Sequence, residues 1–212
     1  MSDTPIAIAA VEPALQAEFP ALRLCHFAVE AGSGSSPRTV RERLRAMSNR
    51  VNGAMAVQLR RQPVPWAYRV FFRQVGMDPD ERRTPIEQMV LDRLKAGGFR
   101  SRNLLDDAIL IATVETGVAL VAFDAERVDD ELELRLSRDG ELLGAAGRPL
   151  SSHQIVIADS ERALAVLFGD LDPACGVTPA TRHIRLCAVQ VAGVADISVE
   201  EALWTAAEIL TA

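Results

Sequence analysis

The stretch that decides the fold of this chain is Glu115-Thr-Gly-Val-Ala-Leu-Val-Ala-Phe-Asp124. A charged helix end is followed by a glycine, and the apolar run after it closes on Phe123 and Asp124. Short apolar runs bounded by turn residues are typical of buried strands. The stretch therefore predicts a strand over 119–123 that ends in a carboxylate at the edge of the core.

The second half of the chain continues in this character. Segment 108–114 is apolar and β-branched, and short strand-like runs separated by Gly, Asp and Pro turns occur at 119–123, 132–136, 155–158, 164–168 and 184–191. Asp139-Gly140 suits a tight turn. A helix over 199–210 is predicted at the end, with Ser198 as its cap and Glu201 three residues later.

The first half is mainly helical. After a predicted strand over 22–29, Thr39 to Arg61 has the apolar spacing of one long amphipathic helix, which Pro63 and Pro65 should end. A short helix is predicted over 66–75. A third should begin at Thr84, where Pro85 and Glu87 complete a capping box, and run to about Lys95. Helices first and strands afterwards indicate an α+β fold, with a mixed or antiparallel sheet packed against helices.

Composition excludes several classes of protein. The chain is 49% hydrophobic and 25% charged, as in an ordinary globular protein. It has no apolar run long enough to cross a bilayer. Cys25, Cys175 and Cys187 lie far apart, which gives neither a disulfide framework nor metal-ligand spacing. We therefore expect a cytoplasmic protein with no metal, no cofactor and no membrane partner.

Charge is distributed unevenly along the chain. The net charge is −6, which argues against a generally basic nucleic-acid binder, and DNA is not an expected partner. Residues 38–102, however, carry 15 Lys/Arg against 6 Asp/Glu, whereas residues 103–212 carry 7 against 19. The basic part either faces a polyanion such as RNA, through Arg41, Arg45 and Arg50, or neutralises the acidic part across an internal or dimer interface.

An ordered set of motifs resembles the editing domain of the phenylalanyl-tRNA synthetase β subunit over about residues 64–195. Residues 115–124 are similar to the family's E-x-G-x-P-x-H-A-F-D. The other motifs are Trp66-Ala-Tyr-Arg-Val-Phe-Phe-Arg-Gln-Val-Gly76 with Arg83-Thr-Pro-Ile-Glu87, Gly98-Phe-Arg100 to Asp107, Glu131-Leu-Glu-Leu-Arg135, Ile155-Val-Ile-Ala-Asp159, and Gly176-Val-Thr178-Pro-Ala-Thr181 to Leu186.

The resemblance implies one globule, with 64–212 as the editing-like domain and 1–63 adding a strand and a basic amphipathic helix. In the family this domain binds the 3′ end of a mischarged tRNA and hydrolyses the ester. The resemblance therefore implies a pocket between strands, with water as nucleophile. Transfer of the motifs predicts substrate contacts from Arg100, Asp107, Glu115, Val121, Thr178, Thr181 and Cys187, and assigns no catalytic residue.

Several of these positions depart from the family or have a structural alternative. Val121 stands where the family has histidine, and Cys187 where it has glutamate. Ile109-Leu110 replace a Thr-Asn pair, and Ala165-Val-Leu-Phe-Gly169-Asp replaces a glycine-rich loop. Arg100 could pair with Asp106, Asp107 could cap a turn or helix, Glu115 and Asp124 could be structural carboxylates, and Cys187 is more typical of a buried thiol than of a partner for His183.

Two hypotheses of different class follow. The first is a free-standing, diverged relative of the editing domain that binds tRNA or an aminoacyl ester and hydrolyses mischarged aminoacyl-tRNA in trans. The second is a non-catalytic protein that binds RNA or an amino-acid ligand, or serves as a scaffold, with a degenerate pocket. Both hypotheses are compatible with a homo-oligomer.

Overall fold

The computed structural model describes residues 5–129, 131–144 and 147–212, and in them the chain alternates helical and strand segments. The strands are β1 (Ala7–Ile8), β2 (Ala10–Val11), β3 (Arg23–Glu30), β4 (Ala119–Asp124), β5 (Glu133–Leu136), β6 (Ile155–Ala158), β7 (Ala163–Val166) and β8 (His183–Gln190). The helices are α1 (Pro13–Glu18), α2 (Arg38–Arg50), α3 (Gly53–Leu59), α4 (Pro63–Gln74), α5 (Pro85–Ala96), α6 (Leu104–Thr116) and α7 (Asp196–Leu210), with a single 3-10 turn at Pro173–Cys175.

The strands form two four-stranded sheets where the sequence predicted one. The first sheet has the order β1-β3-β8-β4 and is antiparallel throughout. The second has the order β2-β5-β6-β7 and is mixed, because β2 runs parallel to β5. The adjacent short strands β1 and β2 belong to different sheets and so connect them. The α+β class is confirmed, with antiparallel and mixed pairing as expected.

The first sheet is covered on one face by the two longest apolar helices. Phe27 of β3 contacts Trp204 of α7, with ring centroids 5.0 Å apart, and α7 packs in turn against α6. The described residues form one main hydrophobic core that includes this layer, and a smaller apolar cluster lies on the second sheet around Val156 and Ala158. Among the described residues, none of the helices has the length and apolar character to cross a membrane.

The long helix predicted over 39–61 is two helices. Val51 and Asn52 adopt extended backbone angles between α2 and α3, and the Asn52 side chain accepts a hydrogen bond of 3.0 Å from the Met55 amide. Val51 is fully buried at this break. Burial of Val51 together with the Asn52 cap therefore overrides the continuous helical pattern. The prolines at 63 and 65 begin α4, in whose first turn the missing amide is tolerated.

The apolar segment 108–114 is helical and belongs to α6. The Asn103 side chain caps the helix by accepting from the Asp106 amide at 2.8 Å, and Gly117 ends it with φ of 81°. A Cβ at Gly117 would lie 3.1–3.2 Å from Val64 and Pro65, so glycine is needed there both for its conformation and for its size. An apolar run cannot distinguish a buried helix from a buried strand, which is why composition alone misplaced this segment.

The predicted start of α5 is confirmed, whereas the predicted start of α7 is wrong. At the start of α5, the Thr84 amide and hydroxyl both donate to Glu87 Oε2, at 3.3 and 3.0 Å, and Gly97 ends the helix. Helix α7 instead begins before Ser198, at Asp196, and no side chain caps it. Gln190 Nε2 donates to Val194 O at 3.0 Å and to Asp196 Oδ1 at 2.6 Å, which fixes this earlier start.

Candidate functional site

A cavity of about 350 Å³ lies between the two sheets, against α5. We call it the inter-sheet cavity. It is lined by Val121, near the middle of β4, which the resemblance aligns with the family's histidine. Its walls come from α5 and the residues before it, from β4 and β8 of the first sheet, and from β6, β7 and the following turn of the second: Arg83, Pro85, Gln88, Met89, Asp92, Ala119, Leu120, Val121, Ile157, Ala165, Val166, Leu167, Phe168, Gly169 and Val189.

The polar groups of the inter-sheet cavity lie on one side. Arg83, Gln88 and Asp92 belong to α5 or the residues just before it, and Gln88 and Asp92 are exposed. The side chains from both sheets are apolar. The cavity therefore resembles ligand pockets of comparable size, which combine an apolar wall with a few polar groups that fix orientation.

Tyr68 fixes the end of the cavity where the two strands of the first sheet meet. Its buried hydroxyl donates to the Val189 carbonyl at 2.5 Å and accepts from the Ala119 amide at 3.1 Å. Burial raises the pKa of this hydroxyl above its usual value, so it remains a donor. The Tyr68 side chain thus holds β8 and the start of β4 together beneath the cavity.

Phe168 forms another part of the wall in a conformation that is uncommon for a residue with a side chain. Its φ is 56°, and its ring packs against those of Phe72, Tyr68 and Phe71 with centroids 5.1, 5.7 and 6.1 Å away. Arg82 Nη2 donates to the Phe168 carbonyl at 3.2 Å. Aromatic packing and this hydrogen bond offset the cost of the left-handed backbone, and fix the turn after β7 against α4.

A second cavity, of about 330 Å³, adjoins the inter-sheet cavity across α5. We call it the arginine cavity, because Arg93, Arg100 and Arg102 all line it. The two cavities share Met89 and Asp92. The complete lining is Met89, Asp92, Arg93, Ala96, Gly98, Phe99, Arg100, Arg102, Asp106, Asp107, Ile109 and Leu110.

The C-terminal part of α2 is joined to the arginine cavity through Ser48. Arg93 Nη2 donates to the Ser48 carbonyl at 2.5 Å, and the Phe99 amide donates to Ser48 Oγ at 2.7 Å. Ser48 is buried, whereas Arg41 and Arg45, at helical spacing from it, are exposed. These arginines therefore lie on a surface of α2 that leads towards the arginine cavity.

Arg41, Arg45 and Arg50 are exposed, and no ion pair joins any of them to another residue of the described part of the chain. Two neighbouring arginines differ. Arg38 pairs with Glu42 of the same helix, and Arg43 makes two hydrogen bonds to Glu115, at 3.1 and 2.5 Å. The charge of α2 is thus only partly neutralised within the molecule.

Asp107 is buried and is the centre of a hydrogen-bond network. Its Oδ2 accepts from Ser36 Oγ and Ser101 Oγ, both at 2.5 Å, and its Oδ1 accepts from the Arg102 amide at 3.1 Å. Arg100 is exposed, and the described contacts give it no bond to Asp106. Asp107 therefore fixes the loop that carries Arg100 and Arg102 at the arginine cavity.

Glu115, Thr178 and Thr181 lie outside the linings of both cavities. Glu115 pairs with Arg43. Thr181 Oγ1 donates to the buried Asp124 at 2.5 Å and accepts from the Thr178 amide at 3.0 Å. Arg100, Asp107, Val121 and Thr181, which were expected around one pocket, are thus divided between the arginine cavity, the inter-sheet cavity and the end of β4.

Cys187 lies opposite Val121 on one side and His26 on the other, in the middle of the first sheet. Its side chain is fully buried, and burial raises the pKa of its thiol well above the usual 9.0. His183, four residues earlier, pairs with Glu126 at 3.0 Å. The described residues contain no group of three or more His, Cys, Asp or Glu that could hold a metal ion. Cys187 is therefore a buried thiol that packs in the core of the sheet.

Two features of the cavities were missed by sequence reasoning. Asp92, shared by both, sits on the exposed side of an amphipathic helix, where a carboxylate is ordinary. Phe168 falls in the strand-like run predicted over 164–168 and in the replaced loop, and neither pattern marks it as a cavity residue. No local signal marks either residue, because the cavity walls are assembled from segments that lie far apart in sequence.

A third cavity, of about 340 Å³, lies on the opposite side of α5 and shares Arg83 with the inter-sheet cavity. We call it the α3–α5 cavity. It is lined by Ala56, Val57, Leu59, Arg60, Arg83, Glu87, Val90, Leu91 and Leu94. Glu87 here belongs to a buried ion pair with Arg69, at 2.8 Å. The α3–α5 cavity contains none of the residues predicted from the resemblance.

Comparison with known proteins agrees with the motifs. The phenylalanine–tRNA ligase β subunit of Methylococcus capsulatus is 37% identical over 89 residues, which are 41% of this chain and 11% of that subunit. The same subunit of Legionella pneumophila (strain Lens) is 33% identical over 125 residues, which cover 54% of this chain and 15% of the subunit. This chain therefore spans only a small part of the length of these relatives.

A solved N-terminal fragment of the phenylalanyl-tRNA synthetase β subunit from Pyrococcus horikoshii has a TM-score of 0.43 and 15% sequence identity, covering 53% of this chain and 41% of the fragment. The B3/4 domain family matches residues 67–208, from α4 to the end of α7. This match covers more than half of the chain. The chain therefore belongs to the B3/4 domain family.

Proposed function

We propose that this chain binds the aminoacylated 3′ end of a tRNA, with the amino acid in the inter-sheet cavity and the terminal nucleotide in the arginine cavity. The observation that carries the proposal is that these two cavities share lining residues of α5, Met89 and Asp92. An aminoacyl ester joins an amino acid to a nucleotide, so its binding site needs two adjoining compartments of different chemistry.

The chemistry of each compartment suits its half of the ligand. The inter-sheet cavity presents Val121, Ile157 and Val189, which favour an apolar side chain. The arginine cavity presents guanidinium groups for phosphate and an aromatic ring, Phe99, on which a base can stack. The similarity to synthetase subunits supports this choice over an unrelated ligand with one apolar and one anionic part.

The exposed arginines of α2 extend the proposal to the RNA backbone. Arg41 and Arg45 lie on the helix face that leads to Ser48, and Ser48 is bonded to both Arg93 and Phe99 at the arginine cavity. Arg50 is exposed at the end of the same helix. An RNA strand whose last nucleotide occupies the arginine cavity would therefore pass next to cationic side chains that have no ion pair among the described residues.

Hydrolysis in trans is the second candidate, and the structure favours a slow reaction. In ester hydrolysis, the oxygen of water attacks the carbonyl carbon, the bond from that carbon to the ribose oxygen breaks, and the ribose oxygen takes a proton. The described residues that line the inter-sheet cavity include no imidazole, and Cys187 is a buried neutral thiol. Positioning of the ester and help from the neighbouring ribose hydroxyl would then carry the reaction, without a strong protein base.

The experiment compares a short tRNA acceptor hairpin that carries an amide-linked amino acid with the same hairpin uncharged. The amide analogue resists hydrolysis, so its affinity measures binding alone. We expect tighter binding of the charged hairpin, and loss of this preference in Val121→Phe, whose ring would occupy part of the inter-sheet cavity. Val57→Phe, the same change in the α3–α5 cavity, should keep it. Equal affinity of the wild-type protein for both hairpins would contradict the proposal.

The catalytic candidate is tested separately with aminoacyl-tRNAs that carry the natural ester. We expect deacylation only slightly faster than in buffer across a panel of amino acids. Rapid and selective release of one amino acid would establish hydrolysis as the main function, and binding without release would favour the non-catalytic hypothesis.

A further inference from the structure

Asp92 occupies a special position between the inter-sheet cavity and the arginine cavity. Of the described residues, it is the one carboxylate that lines both. Asp106 and Asp107 line only the arginine cavity. Asp107 is committed to Ser36, Ser101 and the Arg102 amide, and Asp106 is bonded to Asn103. Asp92 is thus the carboxylate available at the junction.

The Asp92 carboxylate is oriented by one hydrogen bond but has no ion-pair partner among the described residues. Gln88, one helical turn earlier on α5, donates from Nε2 to Asp92 Oδ1 at 2.9 Å. The described contacts give Asp92 Oδ2 no hydrogen bond, and none of the ion pairs among those residues includes Asp92. One oxygen is therefore held by the amide, and the other remains able to accept from a ligand.

We propose that Asp92 binds the α-ammonium group of the aminoacyl ester, so that the site selects amino-acid esters with a free amine. This inference rests on the proposed function. The ester carbon is the point at which amino acid and nucleotide join, and the α-ammonium group is one carbon away from it. A ligand that spans the two cavities therefore brings its ammonium group to the junction that Asp92 lines.

A carboxylate at this junction also discriminates by charge. Arg83, Arg93, Arg100 and Arg102 surround the two cavities and repel an ammonium group, and Asp92 supplies the opposite charge where the ammonium group must lie. An N-acylated amino acid has no such charge and one fewer donor. The site should thus distinguish an aminoacyl ester from a peptidyl or formylated ester, whatever its side chain.

The test is a thermodynamic cycle that combines one substitution in the protein with one change in the ligand. The two ligands are adenosine bearing an amide-linked leucine at its 3′ position and the same compound N-acetylated on the leucine. Calorimetry should show the wild-type protein binding the free amine about tenfold or more tighter, the range expected for a hydrogen bond to a charged group. Asp92→Asn keeps the shape of the side chain and should bind both ligands alike. Asp139→Asn, at an exposed position that lines neither cavity, should keep the preference.

The outcomes separate this inference from the function on which it rests. If the wild-type protein binds neither ligand, the proposed function fails and the role of Asp92 fails with it. If the wild-type protein binds and Asp92→Asn keeps the full preference for the free amine, the proposed function stands and the role of Asp92 is overturned. Because Asp92 is exposed, thermal melting should show that Asp92→Asn folds as the wild type does.

Discussion

Val121 of β4 and Cys187 of β8 lie directly opposite each other in the antiparallel ladder of the first sheet. They are two of the positions at which the resemblance aligns this chain with polar residues of the family, and they are neighbours in space. Val121 is half-buried against the inter-sheet cavity, whereas Cys187 is fully buried. This part of the sheet is therefore apolar on the side where the proposed amino-acid site lies.

Val121→His should raise the rate of ester hydrolysis. The substitution places an imidazole in the wall of the inter-sheet cavity, and a positioned imidazole can accelerate proton transfer by about a hundredfold or more in a well-aligned site. We expect about tenfold, because no residue has been placed to orient the ring. Release of radiolabelled amino acid from aminoacyl-tRNA measures the rate.

Val121→Asn is the control for this substitution, because it is polar but does not titrate near neutral pH. It should leave hydrolysis close to the wild-type rate. Equal rates for all three proteins would show that position 121 does not face the ester.

The buried thiols should make the fold less stable at alkaline pH. Burial raises the pKa of Cys175 from 9.0 to about 11, and burial also raises the pKa values of Cys25 and Cys187. Between pH 9 and 11 the unfolded chain loses protons that the folded chain keeps, so the free energy of unfolding falls as pH rises. Urea unfolding at several pH values measures this slope.

Cys175→Ala should make the slope shallower by at most about 1.4 kcal/mol per pH unit, the value for one proton. Tyr68, whose pKa is also raised by burial, remains in both proteins and does not affect the difference. Identical slopes for wild type and variant would show that Cys175 titrates at its ordinary pKa.

Sequence patterns identified the elements well where the local signal and the tertiary environment agree. The Thr84-Pro85-Ile-Glu87 capping box begins α5 as expected. Patterns failed where burial decided the outcome. The apolar spacing of 39–61 continues through Val51, but the chain turns there to bury this side chain, and only the Asn52-Gly53 pair marks the break.

Asp107 should contribute strongly to stability through the loops that it joins. Asp107→Ala would leave the hydroxyls of Ser36 and Ser101 and the Arg102 amide without their acceptor. We expect a loss of about 2–4 kcal/mol in the free energy of unfolding, because each partly buried donor loses its bond. Urea denaturation at neutral pH is the measurement.

Asp106→Ala, at the adjacent and exposed position in the same helical turn, should cost less than about 1 kcal/mol. A similar cost for both variants would mean that the network around Asp107 is not what stabilises the loop.

RNA binding should be strongly salt-dependent and should weaken on charge reversal in α2. A phosphate contact releases condensed cations, so each lost contact reduces the dependence of affinity on salt by about one power of concentration. Arg41→Glu, Arg45→Glu and Arg50→Glu should each show this in filter-binding titrations with tRNA.

Arg138→Glu is the matched control for these substitutions, because Arg138 is also exposed but lies in the loop after β5. It should leave both affinity and salt dependence nearly unchanged. An equal effect of Arg138→Glu and Arg45→Glu would point to attraction by net charge, without a defined RNA path.

The candidate site was less accessible to sequence reasoning than the fold. Motif order predicts one pocket around Val121, Arg100 and Thr181, whereas the structure places Val121 and Arg100 in the walls of two cavities and Thr181 at the end of β4, where it is bonded to Asp124. That separation depends on the division of the strands into two sheets, which follows from long-range pairing and not from local pattern.

Methyl NMR with an amide-linked aminoacyl adenosine tests the central claim most directly, because it locates the ligand. The inter-sheet and α3–α5 cavities are of nearly equal volume and both carry methyl groups, so each serves as the control for the other. We predict shifts at Val121, Ile157 and Leu167 during the titration, with Val57, Leu91 and Leu94 unchanged. Shifts confined to the α3–α5 cavity, or no shifts at saturating ligand, would contradict the account.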